Sequence, residues 1–210
     1  MIISRIDGEG GVSGISDIEI GQIVQRVLRQ AVGLSAQAAA LPASPAPAQA
    51  PPRAEAQTTA RKAVALGADH GGFELKEVLK ADAAALGFEI IDMGTNGKEA
   101  VDYPDFAHKV AALVGSGKAW RGILVDGAGI GSCIVANKVP GVRAGMAYDY
   151  SSAVNSREHN DTNVLTLGAG LIGVNLARLI VKTWLATPFA GGRHAPRVDK
   201  ITAVERQYLK

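Results

Sequence analysis

Residues 122–138 read Gly-Ile-Leu-Val-Asp-Gly-Ala-Gly-Ile-Gly-Ser-Cys-Ile-Val-Ala-Asn-Lys. Ile123, Leu124 and Val125 form a short apolar run bounded by glycines, the pattern of a strand buried on both faces of a parallel sheet. Ile130 to Asn137 read as the opening turns of a helix. Between the two, Gly127, Gly129 and Gly131 carry no side chain, so the chain can turn tightly and leave its amides bare. Bare amides at a helix N-terminus suit a phosphate or a developing oxyanion. Asp126 stands at the strand's carboxyl end, where open α/β sheets place their chemistry. Such a turn alone serves structure more often than catalysis, so the rest of the chain decides.

The same alternation repeats on both sides of this stretch. Upstream, strands are expected at 63–68 and 88–93, with helices at 73–86 and 105–116 and a loop over 94–104. Downstream, strands are expected at 143–147 and 163–167, with helices at 151–158, 173–186 and 198–208; the central strand covers 120–125. Strands alternating with helices at this spacing give a parallel sheet covered on both faces. The expected fold class is α/β, a three-layer, doubly wound, Rossmann-like five-stranded parallel sheet. The sequence leaves the strand order open. Gly168-Ala169-Gly170-Leu171-Ile172-Gly173 matches G-x-G-x-x-G, but the acid-tipped strand that a dinucleotide site needs about 20 residues later is replaced by a helix. These glycines are read as turn and packing residues, and no nicotinamide cofactor is expected.

The first 61 residues are of another kind. Ile20, Ile23, Val24, Val27, Leu28 and Ala31 fall on one helical face. Ser16 or Asp17 can cap that helix, Arg26 and Arg29 suit its C-terminal half, and Gly33 can stop it. Of the 21 residues from 36 to 56, 10 are Ala and 5 are Pro, a composition that cannot bury a core. The domains are therefore an extension over 1–35 with an amphipathic helix at about 17–32, a linker over 36–61, and a catalytic body over 62–210. A short helix is marginal alone in water. Its partner is either its own domain or dimer mate, or a different protein that reads it as a recognition peptide. Two arginines and no aromatic anchor argue against a membrane surface.

Composition narrows the class. The chain has 210 residues, 47% of them hydrophobic and 20% charged, with a net charge of +2 and 5% aromatics. That is enough for a proper core and too little charge for a nucleic-acid partner or an anionic membrane. One cysteine, Cys133, leaves no internal disulfide and fits a reducing cytoplasm. The expectation is a cytoplasmic protein with neither a secretory signal nor a membrane span.

The polar residues gather at the loops. Asp69 and His70 follow the first strand, Asp102 and Tyr103 the second, Asp126 the third and Asp149 the fourth. His159, Asn160 and Asp161 lie just before the fifth. Arg193, His194 and Arg197 follow the last long helix. Paired arginines suit a phosphate, whose oxygens match the guanidinium fork. No H-x-x-H or H-E-x-x-H spacing occurs, so a metal is not expected.

Five segments together resemble one family. They are Gly-Ala-Asp-His-Gly-Gly-Phe-Glu-Leu-Lys (67–76), Val-Asp-Tyr-Pro-Asp-Phe-Ala (101–107), Gly-Ala-Gly-Ile-Gly with Ala-Asn-Lys (127–131 and 136–138), Arg-Glu-His-Asn-Asp-Thr-Asn-Val-Leu (157–165) and Gly-Gly-Arg-His-Ala-Pro-Arg-Val (191–198). Over about Ala63 to Glu205 the chain resembles the ribose-5-phosphate isomerase B family, which includes galactose-6-phosphate isomerase subunits. The resemblance implies a metal-independent aldose–ketose isomerase that moves a proton between C1 and C2 of an open-chain sugar phosphate through an enediolate, with no cofactor. It implies that His159 helps open the furanose ring and that Asp69 hydrogen-bonds the substrate. Amides of Gly127, Ala128, Gly129, Ile130 and Gly131, with Asn160, would hold the enediolate oxygens. His70, Arg193 and Arg197 would take the phosphate, and Tyr103 would line the site. It also implies a homodimer or a pair of dimers with the site between subunits.

The chain departs from the family at the base. Where the common form has Cys-Gly-Thr-Gly, this chain has Asp126-Gly127-Ala128-Gly129, and the Glu of another branch is replaced by Ser132. Asp126 is then the ionisable group at the base position, and Cys133 is expected to pack in the core. The expected substrates are ribose 5-phosphate and ribulose 5-phosphate. The alternatives are another four- to six-carbon sugar phosphate or a non-catalytic sugar-phosphate binder. The front helix and linker resemble the encapsulation peptides of bacterial microcompartment cargo, which implies a shell-protein partner and a place in the compartment lumen.

Overall fold

The structure, a computed structural model, describes residues 62–209. The expected front helix and the Ala/Pro linker lie outside the described residues. Five parallel strands form one sheet: β1 (Ala63–Ala68), β2 (Glu89–Asp92), β3 (Arg121–Asp126), β4 (Ala144–Met146) and β5 (Val164–Gly168), in the spatial order β2-β1-β3-β5-β4. The helices between and after them are α1 (Phe73–Ala85), α2 (Tyr103–Gly115), α3 (Ile130–Ala136), α4 (Tyr150–Glu158), α5 (Val174–Ala186) and α6 (Ala195–Tyr208). A 3-10 turn, Gly192–His194, leads into α6.

The strands carry their apolar residues on both faces, as a sheet covered on both sides requires. Val64, Leu66 and Ala68 of β1, Ile123 and Val125 of β3, and Leu165 and Leu167 of β5 pack with α1, α4 and α5 in one buried cluster. Ala65, Leu124 and Val164 point the other way, against Ala107, Val110 and Ala111 of α2 and Ala136 of α3. The period of two along each strand thus assigns side chains to the two layers. The three-layer α/β architecture expected from the sequence is present.

Three boundaries differ in ways that bear on function. Tyr103 belongs to α2 and not to the loop before it, since Pro104 in the first turn suits a helix start and Asp102 takes the N-cap position. The last helix begins at Ala195, three residues earlier than expected, with Pro196 in its first turn. Asp149 is the N-cap of α4: its carboxylate accepts the Ser152 amide at 2.7 Å while the Ser152 hydroxyl receives the Asp149 amide. That is a structural capping box.

The chain steps from β1 outward to β2, then crosses to β3 on the other side of β1. The carboxyl ends of β1 and β3 therefore form the topological switch point, the place where doubly wound sheets open a crevice.

Candidate active site

Two loops meet at the switch point. After β1, the Asp69 carboxylate accepts the Gly72 amide at 2.9 Å, and the Asp69 amide donates to the Val125 carbonyl at 3.3 Å. A Cβ built on Gly71 would lie 3.4 Å from Asp69 Oδ1 and 3.9 Å from the Gly127 amide nitrogen, so the two loops touch. A Cβ on Gly131 would stand 2.5 Å from the Tyr103 ring, so that ring lies close against the bare start of α3. At the rim, His70 Nδ1 sits 3.2 Å from the backbone of Val101.

Asp126 is 4% exposed at the centre of this crevice. Its Oδ1 accepts the amides of Ala128, at 2.9 Å, and Gly129, while Oδ2 accepts the Ser132 amide at 3.0 Å. Gly129 takes φ +78°, and a Cβ there would meet the Leu167 carbonyl carbon at 2.9 Å. Glycine is required there twice over, by backbone angle and by close approach. The amides of the loop thus divide. Ala128, Gly129 and Ser132 turn inward to Asp126, whereas those of Gly127, Ile130 and Gly131 have no acceptor among the described residues. The Ala128 and Gly129 amides, grouped by sequence with the enediolate donors, are here engaged with Asp126.

The turn after β5 backs the loop. Ala169 donates to the Asp126 carbonyl at 2.8 Å and Gly170 to the Gly127 carbonyl at 3.0 Å. A Cβ on Gly168 would sit 2.7 Å from the Ala128 carbonyl carbon. The G-x-G-x-x-G match therefore does packing work. Cys133 is half-buried, with Sγ 3.6 Å from the Ala144 carbonyl, and burial, with the charge of Asp126 adding, pushes its thiol up. One contributor was not singled out from sequence. The Tyr148 hydroxyl, just beyond β4, donates to the Ala128 carbonyl at 2.9 Å.

The second group of expected site residues lies elsewhere. His159 follows α4, and its ring stacks on that of His194, with centroids 4.0 Å apart and planes within 8°. Asn155 Nδ2 lies 2.8 Å from His159 Nδ1, and Arg193 Nε lies 3.4 Å from His194 Nε2. Asn160 leans on Asn155 and lines a cavity of ≈ 730 Å³ between β4, α4 and α6. Arg193 and Arg197 are exposed. His159 and Asn160 precede β5, whereas Asp126 is paired in register with Gly168 at its far end. Those five residues rise about 13 Å, so the two groups lie towards opposite ends of the sheet. The sequence places His159 and Asn160 just before the fifth strand, and the structure puts them there, at the amino end of the sheet and away from the loops that follow β1 and β3.

Among the described residues, no group of three or more His, Cys, Asp or Glu is placed to hold a metal ion, and no helix is long and apolar enough to cross a membrane.

Comparison with known proteins agrees with this architecture. Residues 64–201 match the Ribose/Galactose Isomerase family. The chain is 46% identical over 146 residues to ribose-5-phosphate isomerase B of Escherichia coli, covering 70% of this chain and 98% of that protein. It is 41% identical over 146 residues to D-erythrulose-4-phosphate isomerase of Pectobacterium atrosepticum, covering 69% and 95%. Among solved structures, ribose-5-phosphate isomerase B of Clostridium thermocellum has a TM-score of 0.69 at 50% identity, covering 70% of this chain and 99% of that one.

Proposed function

This chain belongs to the ribose/galactose isomerase family, and we propose that it interconverts ribose 5-phosphate and ribulose 5-phosphate through an enediolate. The observation that carries this reading is the crevice at the switch point. There the acceptor-free amides of Gly127, Ile130 and Gly131 sit beside a buried carboxylate, with Asp69 and the Tyr103 ring alongside. Amides held in place where negative charge develops stabilise an enediolate without reorganisation. A carboxylate has about four lone-pair positions, and Asp126 commits three, two on Oδ1 and one on Oδ2. The remaining position on Oδ2 is the proposed base: it takes the proton from C2 of the open-chain aldose and delivers it to C1 of the enediolate, while the hydroxyl proton of O2 passes to O1 and leaves the C2 carbonyl of the ketose.

His159 is the proposed ring-opening residue, and His70, Arg193 and Arg197 the phosphate ligands. These residues fall into the two separated groups, so one chain cannot bring all of them to one sugar phosphate. A homodimer, or a pair of dimers, that sets the first group of one copy against the second group of another completes the site. The test is turnover by the purified protein of a panel of four- to six-carbon sugar phosphates. The proposal expects ribose 5-phosphate to be the best substrate. The erythrulose-4-phosphate isomerase relative favours a four-carbon ketose phosphate as the second reading. Tight binding with no turnover of any of them would make the chain a binder.

For the front segment the support is the sequence pattern alone. An amphipathic stretch joined by an Ala/Pro linker to an enzyme is proposed as a packaging signal for a microcompartment shell. Deleting residues 1–35 is then expected to keep turnover and abolish co-purification with shell proteins. Loss of turnover or of the oligomer on deletion would assign the segment to the catalytic body.

A further inference from the structure

Tyr148 reaches the anion loop from the side of the sheet opposite β1. Its Oη donates to the Ala128 carbonyl at 2.9 Å and touches Met146 Sδ at 2.8 Å. The peptide that begins with that carbonyl ends with the Gly129 amide, which donates to Asp126 Oδ1. An unbroken path, O–H to C=O to N–H to carboxylate, thus joins Tyr148 to the proposed base. A hydrogen bond on a peptide carbonyl polarises the group and strengthens donation from its N–H.

This peptide needs holding. It joins Ala128 to Gly129, and its plane turns through ψ of Ala128 and φ of Gly129; the glycine on that one side, already at φ +78°, lowers the cost of rotation. Rotation would withdraw the Gly129 amide from Asp126 and carry the Ala128 carbonyl, with its partial negative charge, away from Gly168 and Tyr148. A carbonyl turned towards the crevice would oppose the enediolate that the neighbouring amides stabilise.

We propose that Tyr148 is a positioning residue for the isomerisation: its hydroxyl locks the Ala128–Gly129 peptide, and so fixes both the Asp126 carboxylate and the direction of the loop amides. This rests on the isomerase reading above. Burial raises the Tyr148 phenol, with the charges of Asp126 and Cys133 adding, so the hydroxyl remains a donor across neutral pH.

The test is Tyr148→Phe, which keeps the ring and removes the hydroxyl. Three quantities are read: turnover of ribose 5-phosphate, binding of a four-carbon phosphohydroxamate that mimics the enediolate against ribitol 5-phosphate, and exchange of the Gly129 amide. The expected result is kcat lower by about tenfold, the scale of one hydrogen bond, with KM little changed. The hydroxamate weakens by a similar factor, ribitol 5-phosphate binds as before, and the Gly129 amide exchanges faster. Parent-like kcat and exchange would overturn the inference while leaving the isomerase reading intact. Equal weakening of both ligands with a large fall in Tm would overturn it too, by showing a merely structural tyrosine. A parent protein without turnover would overturn both the isomerase reading and this role.

Discussion

Asp126 shows how one side chain sets a local structure and its chemistry together. Its three accepted amides close the β3–α3 turn and select which loop amides stay available. Asp126→Asn keeps an oxygen for part of this pattern but sets an amide against the Ser132 N–H and removes the charge. Turnover of ribose 5-phosphate is expected to fall by roughly a hundredfold or more, the scale of a general base, in steady-state assays on protein whose fold is checked by circular dichroism. A second residue-scale expectation concerns His194. Burial, with the charges of His159, Arg193 and Arg197 adding, holds it below the ordinary histidine value. The unfolded chain then binds that proton more readily than the folded one. Stability therefore falls as pH drops through about 6.5 and keeps falling until the folded-state value is passed. Urea midpoints measured from pH 8 to pH 5 should decline, and His194→Gln should flatten the decline.

At the scale of elements, the amino end of the sheet is fastened by arginines. Arg121 of β3 is 4% exposed and donates to the Leu185 carbonyl at 3.0 Å, to that of Thr187 at 3.3 Å and to that of Trp184. Its guanidinium lies 4.0 Å from the Trp120 ring centroid and 4.8 Å from that of Trp184. Arg157 also donates to the Thr187 carbonyl, at 3.2 Å. Cations at the C-terminus of α5 answer both its orphan carbonyls and its dipole. Arg121→Ala leaves buried carbonyls without donors and is expected to cost about 3 kcal/mol, read as a lower urea midpoint with activity per folded molecule retained. This fastening was not legible in the sequence, because a buried arginine and an exposed one look alike until the helix end arrives beside it. The strands were legible, since the apolar runs around Leu66, Leu124 and Leu165 each lie between turn residues. The glycine turn was legible as well, as bare backbone at a strand's carboxyl end. Which amides it would present was not, for that depends on how the Asp126 carboxylate folds back. Tyr148 was hidden for the same reason: its role comes from the pairing of β4 beside β5, and strand order is not written locally.

For the whole molecule, the sheet separates the chemistry. Asp69, Tyr103, Asp126 and the free amides belong to one end, and His159, Asn160 and Arg193 to the other, beyond the span of β5. The resemblance implied a site between subunits, but the motifs do not say which copy each residue serves. In the proposed dimer each site takes one group from each copy, so damage to either group can be separated between chains. The most direct measurement is ribose 5-phosphate turnover by a co-expressed mixture of Asp126→Asn chains and chains with both Arg193→Ala and Arg197→Ala, each inactive alone. Random pairing in a two-fold dimer leaves half the dimers mixed, each with one site intact. Recovery of about a quarter of parental turnover is therefore predicted. A mixture as inactive as its components would contradict a site shared between copies, and with it the account of how this chain isomerises a sugar phosphate.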